Sequence, residues 1–387
     1  MKIMCSLATG VALAALGLGV SQTLAASSGD DAVAYQINAA HSGSNEISGF
    51  KGKLKLLWTK NLGAGAISYP LIAVGQVYVT VANTTGYGTQ LFALESANGV
   101  VNWQQPISGT YFWSNAAYDN GQIFLVTYDG VLDNFSSGSG SLNWSVQLPG
   151  YSFSSPPTAE KGQVFVGGNG ALNAVSEATG AINWSGGVQN GDNSSPALGD
   201  KGVYVTYPCQ YYKFGEKSGK LDWNTNLGCE GGGGRTPVYF KNEVFVRDWT
   251  EPNNVLDAKT GASLGTFTGG PAPAFGGEKH KTFGVGLSGG TLSLFDFKTR
   301  TTKWTFAGDG TLSTAPIIVN GYIVEGGTSG MLYVLNDKGK VTWSGNVGAS
   351  IPGPDEQNVS QPLTGLAAAD GIIVVPAGSQ ISAYAPE

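Results

Sequence analysis

The chain has 387 residues and a formal net charge of −6, and only 12% of its residues are charged, about half the usual share. Its 59 glycines are roughly twice the usual share and favour a turn-rich, all-β fold. Because no surplus of lysine and arginine is present to attract phosphate groups, nucleic acid is excluded as a partner.

Residues 1–25 predict a cleavable secretory signal. Lys2 supplies the positive start, residues 7–20 form an apolar stretch too short to span a bilayer, and small residues at 23–25 form a cleavage site. Cys5 precedes the apolar stretch, so no lipid anchor is expected. No later segment predicts a transmembrane helix. We therefore expect a secreted or periplasmic monomer, with a lead-in segment at 26–53 and a folded domain at 54–387.

A tryptophan recurs with a period near 40 residues. The set comprises Trp58, Trp103, Trp144, Trp184, Trp223, Trp304 and Trp343. Successive spacings are 45, 41, 40, 39, 81 and 39 residues, and Gly265 stands where the long gap lacks its tryptophan. A glycine usually lies four residues earlier, as Gly180 does before Trp184, but Arg300 takes that place before Trp304. Such a period predicts a solenoid or a propeller.

Each period contains short aromatic and β-branched runs separated by glycine-containing turns, such as GQVYVTV at 75–81. Four strands joined by tight turns in about 40 residues form one propeller blade. The inner runs are apolar at almost every position, which indicates sheets buried on both faces and favours a propeller over a sandwich.

The two ends of the chain predict how the ring closes. Trp58 has no blade strands before it, and residues 371–387 stop before their tryptophan. We therefore expect the N-terminal strand to complete the C-terminal blade of an all-β, eight-bladed propeller of four-stranded antiparallel blades.

The repeat resembles that of the pyrroloquinoline-quinone-type (PQQ-like) β-propeller family, in which Ala, an acidic residue, Thr-Gly and Trp occupy fixed offsets. The matching positions are Ala93, Glu95, Gly99 and Trp103; Ala174, Thr179, Gly180 and Trp184; and, in part, Asp257, Thr260 and Gly261. The resemblance implies that the seven periodic tryptophans dock one blade on the next. The architecture is also similar to that of the propeller lipoprotein of the bacterial outer-membrane barrel-assembly machinery.

Cys209 and Cys229 predict a disulfide, because they are the two cysteines that remain after the signal and an exported protein resides in an oxidising compartment. A metal site is the alternative, but no histidine or further cysteine lies nearby in the sequence.

Trp113 and Trp249 fall outside the tryptophan register. Both lie on connections that a propeller places on one face, the face of the inter-blade loops. Other aromatic and charged residues share these connections, and we take them together as candidate binding residues: Tyr111, Phe112, Tyr151, Phe153, Asp192, Glu230, Arg235, Arg247, Asp248, Asp355 and Glu356. Loops on a rigid scaffold commonly carry binding sites. The alternative is that the aromatic rings plug the central channel and the charges are solvated.

Two functions remain open at this point. A non-catalytic binding protein for a protein or glycan partner, with no cofactor and no metal, needs only the loop face. A quinoprotein dehydrogenase would, by the family resemblance, need PQQ with calcium, a catalytic aspartate and adjacent cysteines. Because Cys209 and Cys229 are 20 positions apart, and no nucleophile motif or carboxylate pair is recognisable, binding is the expected function.

Overall fold

The computed structural model describes residues 31–189, 194–228, 233–248, 252–277 and 282–387, and every regular element in these ranges is a β-strand. Within them, no helix is long and apolar enough to cross a membrane. Asp192, Glu230 and Trp249 lie outside the described residues, as do Cys229 and the predicted signal.

The strands form eight sheets arranged as blades. Before the first complete blade come β1 (Ser44–Asn45) and β2 (Leu54–Asn61). Blades 1 to 4 contain β3 (Leu71–Ala73), β4 (Gln76–Ala82), β5 (Thr89–Glu95), β6 (Val101–Ile107); β7 (Ser114–Asp119), β8 (Gln122–Thr127), β9 (Val131–Ser136), β10 (Leu142–Gln147); β11 (Thr158–Glu160), β12 (Gln163–Gly168), β13 (Ala171–Ser176), β14 (Ile182–Gly187); and β15 (Ala197–Gly199), β16 (Gly202–Tyr207), β17 (Gln210–Gly215), β18 (Leu221–Asn226). Blades 5 to 8 contain β19 (Val238–Phe240), β20 (Glu243–Val246), β21 (Asn253–Asp257), β22 (Ser263–Phe267); β23 (Ala274–Gly276), β24 (Phe283–Ser288), β25 (Thr291–Asp296), β26 (Thr302–Phe306); β27 (Ile317–Val319), β28 (Tyr322–Gly326), β29 (Met331–Leu335), β30 (Val341–Asn346); and β31 (Ala367–Ala369), β32 (Ile372–Ala377), β33 (Gln380–Pro386).

The ring closes as the sequence predicts. Strand β2 pairs antiparallel with β33, from Leu54 opposite Pro386 to Asn61 opposite Gln380, and becomes the outer strand of blade 8. The eight-bladed, all-β architecture is therefore confirmed. Because both ends of the chain share one sheet, blade 8 cannot separate without breaking this strand pairing.

Every outer strand carries a β-bulge directly before its tryptophan position. In β6, for example, Ala93 pairs with Trp103 and Leu94 with Val101, so Asn102 is the extra residue. The same shift occurs in the other seven outer strands. A bulge bends the strand and re-aims the next side chain, here the tryptophan.

Six of the seven tryptophans dock on the turn glycine of the following blade, and Trp343 packs on Tyr384 of blade 8 instead. Trp103 donates its indole N–H to the Ser137 carbonyl at 2.9 Å, and its ring lies so close to Gly140 that a Cβ there would come within 2.6 Å. Trp184 meets Glu216 and Gly219 in the same way. A ring of this size buries on the order of 150–250 Å². The recurring Gly and Trp therefore work as a pair across blades, not within one repeat.

The two departures from the repeat fall at one interface. Gly265 replaces the tryptophan of blade 5, and Arg300 replaces the facing turn glycine of blade 6. Instead of a ring on a glycine, Arg300 reaches back to Glu243 of blade 5, with a guanidinium-to-carboxylate distance of 2.7 Å. An ion pair thus takes the place of the docked tryptophan.

The central channel is filled by residues 31–45, which we call the plug. The inner strands of six blades donate a backbone N–H to it, and their donors are Ile72, Tyr118, Leu198, Tyr239, Phe275 and Ile318. The inner edge of each of these strands would otherwise present unpaired backbone groups. The predicted lead-in segment is therefore part of the propeller core, and β1 pairs in parallel with β27.

His41 lies at the centre of the plug and is fully buried. Its Nδ1 is 2.6 Å from the Tyr35 carbonyl oxygen and its Nε2 is 2.9 Å from the Pro196 carbonyl oxygen. Burial lowers its pKa, although both carbonyls favour the charged form. These contacts tie the plug to blade 4.

Candidate binding surface

The strand order places two kinds of connection on one face of the ring. These are the turns between second and third strands and the connectors that lead from each outer strand to the next blade. We call this side the connector face. The candidate residues that the structure describes all lie on or just beneath it, but their environments differ sharply.

Five aromatic residues on the loops of blades 1 to 3 form a strip that we call the tyrosine row. Its members, in order along the surface, are Tyr87, Phe112, Tyr111, Tyr128 and Tyr151. Tyr87, Tyr111 and Tyr151 are exposed, whereas Phe112 and Tyr128 are half-buried. Ring centroids are 5.0 Å apart for Tyr87 and Phe112 and 4.3 Å apart for Tyr111 and Tyr128. The Tyr128 hydroxyl lies 3.0 Å from the Ser152 hydroxyl, next to Tyr151. Tyr87 is 61% exposed and Tyr151 63%.

Backbone hydrogen bonds hold the row on interlocked loops. Gly88 N–H donates to the Tyr111 carbonyl at 2.8 Å, Phe153 N–H to the Tyr128 carbonyl at 3.0 Å, and Asn169 N–H to the Tyr151 carbonyl at 3.0 Å. Each bond joins a turn of one blade to the connector that follows that blade or precedes it. The exposed rings are thus presented by a fixed backbone, which lowers the entropy cost of binding.

Trp113 lies beneath the row and does not project from the face. It is 2% exposed and packs with Phe153, Leu148 and Val126 in one apolar cluster. With the Asn115 amide oriented to satisfy both donors, its oxygen accepts from Trp113 Nε1 at 3.0 Å and from Leu363 N–H at 3.1 Å. The expectation that Trp113 and Phe153 are exposed contact residues is therefore wrong: both are core residues that support the row.

A second group of candidates lies on the same face over blades 4 to 6. We call Arg235, Arg247, Asp248, Asp355 and Glu356 the charged cluster. A long connector between blades 7 and 8, residues 347–366, brings Glu356 onto Arg247, with a guanidinium-to-carboxylate distance of 2.5 Å. Both side chains are buried. Arg247 also donates to the carbonyls of Gly270 and Thr236, at 2.7 and 3.0 Å.

The electrostatics of this cluster are those of an internal ion pair. Burial raises the pKa of Glu356, but the charge of Arg247 and hydrogen bonds from Thr236 and Arg247 outweigh it, so the pKa lies below its ordinary value. Burial and the charge of Arg247 lower the pKa of Arg235. A cavity of about 210 Å³ separates Arg235 and Arg247 from Asp355.

Asp248 and Asp355 complete the cluster in different ways. Asp248 accepts hydrogen bonds from the Cys209 N–H at 2.8 Å and from the Tyr211 hydroxyl at 2.5 Å. It therefore holds the turn between the second and third strands of blade 4 in place. Asp355 is exposed. The disulfide between Cys209 and Cys229 stays a prediction, because Cys229 lies outside the described residues.

Sequence reasoning missed Tyr87 and Tyr128. Both stand in turns between second and third strands, the position that drew attention to Trp249. The same topological rule, applied to every turn of this kind, would have found them.

Comparison with known proteins defines the family. The family described as outer membrane protein assembly factor BamB matches residues 43–200 and 168–384. The chain belongs to the BamB family. Among curated proteins, none matches its sequence.

Solved structures share the fold of this BamB-family chain at low identity. BamB from Moraxella catarrhalis is 16% identical with a TM-score of 0.65, covering 86% of this chain and 100% of that one. A europium-containing methanol dehydrogenase is 14% identical with a TM-score of 0.66, covering 84% and 87%. The quinohemoprotein alcohol dehydrogenase from Comamonas testosteroni is 11% identical with a TM-score of 0.69, covering 92% and 80%. An outer membrane protein assembly factor and dehydrogenases therefore share this propeller fold.

The channel of this BamB-family propeller does not fit a calcium–quinone site. The plug fills the channel, where six inner strands donate backbone N–H groups to it, and the Arg247–Glu356 pair binds the 347–366 connector to blade 5. Among the described residues, no group of three or more His, Cys, Asp and Glu side chains could hold a metal ion. We derive no reaction step through such a cofactor.

Proposed function

We propose that this chain is an exported, non-catalytic binding propeller that holds a protein or glycan partner on its connector face, with the tyrosine row as the main contact. The observation that carries the proposal is the row itself: four aromatic rings in mutual contact and Tyr151 beyond them, all on interlocked loops, with Tyr87 and Tyr151 more than half exposed.

The composition around the row supports binding. Its loops contain mainly Tyr, Ser, Thr, Gly and Asn, as in NTTGYG at 83–88 and SGTYF at 108–112. Binding loops of antibodies have a similar composition, since tyrosine supplies a large contact area at low entropy cost while small polar residues adapt their hydrogen bonds. Contiguous exposed rings on a soluble protein generally mark an interaction site.

The test is capture of a partner from the envelope and culture medium of the host. Replacing Tyr87, Tyr111 and Tyr151 together by serine should abolish capture and leave the unfolding midpoint unchanged. Leu227→Ser is the matched control, because Leu227 is also exposed on this face but lies beside blade 4. Equal capture by the triple variant and the wild type would contradict the proposal.

A further inference from the structure

We infer that the tyrosine row and the cavity beside it bind an uncharged carbohydrate chain. This inference rests on the proposed function and deepens it, since it commits the connector face to one class of partner. Four observations carry it: a cavity at one end of the row, its uncharged lining, the continuity of cavity and row, and the position of the row residues outside the strands.

The cavity lies between blade 8 and blade 1 and measures about 350 Å³, within the range of small-ligand sites. Phe92 and Val81 contribute apolar surface to it, while Asn83, Thr84 and Gln90 contribute amides and a hydroxyl. No charged residue lines it. Amide and hydroxyl groups both donate and accept hydrogen bonds, as the hydroxyls of a sugar do.

One loop joins the cavity to the tyrosine row. Asn83 lines the cavity, and its side-chain amide donates to the Tyr87 carbonyl at 3.0 Å across the loop that carries Tyr87. Asn83 N–H also donates to the Gly88 carbonyl at 3.1 Å, which closes the loop. A chain-like ligand that starts in the cavity can therefore continue over Tyr87 and along the row.

The chemistry of the row suits sugar rings. Asp129 is the charged residue of its loops, and its carboxylate already accepts from the Thr110 N–H at 2.8 Å and from the Thr110 hydroxyl. Tyrosine offers an apolar ring face and a polar hydroxyl. A pyranose has a complementary form, with C–H groups on its faces and hydroxyls around its rim. Because the Asp129 carboxylate is the charge of these loops and already accepts hydrogen bonds from Thr110, the surface offers an ionic ligand little attraction.

A peptide fits this surface less well. An extended peptide usually binds by adding a strand to an exposed sheet edge, where backbone hydrogen bonds supply the affinity. Every residue of the row lies in a turn or a connector and not in a strand, and Gly88 N–H and Asn169 N–H already donate to the Tyr111 and Tyr151 carbonyls. A peptide would meet ring faces but no backbone ladder, whereas a carbohydrate needs none.

The experiment is a binding screen of the full chain against an array of uncharged oligosaccharides, followed by affinity electrophoresis in dextran, laminarin and galactomannan. We expect at least one of these to bind. Tyr87→Ser/Tyr111→Ser should weaken binding about tenfold or more, the equivalent of roughly 1.4 kcal/mol. Gln90→Ala tests the cavity separately, because Gln90 lines it but does not hold the loop of Tyr87; it should also weaken binding, whereas Leu227→Ser should not.

The salt dependence of the affinity distinguishes an uncharged carbohydrate from an ionic ligand. Raising the salt concentration from about 0.05 to about 0.5 M should change the affinity for an uncharged glycan little, because exposed charges are what salt screens. Binding confined to acidic polysaccharides such as alginate, with a steep loss in salt, would overturn the inference.

The failure of the inference is distinguishable from the failure of the proposed function. If no glycan binds, while capture from the envelope depends on the tyrosines and is lost after protease treatment of that fraction, the partner is a protein. The carbohydrate inference is then wrong and the binding function stands. If capture does not depend on the tyrosines, both are wrong.

Discussion

The tyrosine row and the charged cluster share one face of the ring, yet they are built in opposite ways. The five residues of the row are uncharged, and Tyr87, Tyr111 and Tyr151 are exposed. The one charge of their loops, Asp129, is hydrogen-bonded to Thr110. In the charged cluster, Arg247 and Glu356 are buried, and their contacts join the 347–366 connector to blade 5. The charges of the charged cluster therefore hold the 347–366 connector in place, whereas the exposed neutral rings form the surface that we propose binds a partner.

Breaking the Arg247–Glu356 pair should have the largest effect on stability. Glu356→Ala leaves the Arg247 guanidinium buried without its carboxylate, and we expect a loss of about 3–5 kcal/mol in the free energy of unfolding. Asp355→Ala is the matched control, because its side chain is exposed one position away; it should change stability by less than about 0.5 kcal/mol. Urea titration followed by fluorescence measures both. Similar losses in the two variants would contradict the assignment.

A smaller loss is expected from the residue that supports the row. Trp113→Phe keeps an aromatic ring but removes the donor to Asn115, which leaves a buried amide oxygen with one partner fewer. We expect a loss of about 1–3 kcal/mol. Tyr111→Phe, directly above, should leave the unfolding midpoint unchanged. If Trp113→Phe instead affected only partner binding, the row would extend into the layer that we describe as core.

The sequence was sufficient for the fold because the periodic Gly and Trp contacts repeat between blades. Even its irregularities were informative: Gly265 and Arg300 depart from the pattern at the same interface, where Arg300 pairs with Glu243. The way the ring closes could be predicted because the last repeat lacked its outer strand and an unmatched strand preceded the first repeat; β2 supplies that strand to blade 8.

The plug and the candidate surface were harder to predict from the sequence, because neither follows the 40-residue period. Residues 31–45 contact six blades through backbone groups, which no side-chain pattern reveals, and they include Ile37 in a left-handed conformation with φ of 76°. Trp113 attracted attention because it broke the register. Its burial depends on Asn115 and on Leu363 in a connector some 250 positions away, a contact that only the folded chain defines.

The smallest effect is a contrast in pH dependence between the two halves of the ring. On the face of the ring opposite the connector face, Glu177 of blade 3 interacts with Asp119 of blade 2; burial, then the charge of Asp119, raises the pKa of Glu177 from an ordinary 4.5 to about 8. Between these values the folded chain holds a proton that the unfolded chain has released, so this group lowers stability as pH rises. The effect of Glu356 on stability has the opposite sign, because its pKa is lowered in the folded chain. Its contribution to the free energy of unfolding is present above its ordinary pKa and is lost as pH falls through the folded-state pKa.

Glu177→Gln tests this contrast directly. The variant should remove the fall in urea midpoint that Glu177 causes from about pH 5 to about pH 8, and Asp119→Asn should reduce it, since it removes the neighbouring charge. The acid-side loss that Glu356 produces should persist in both variants, because the Arg247–Glu356 pair is untouched. If the urea midpoints of the wild type and Glu177→Gln fall in parallel over this range, the Glu177–Asp119 pair does not hold the proton. The contrast in pH dependence between the two halves of the ring is then contradicted.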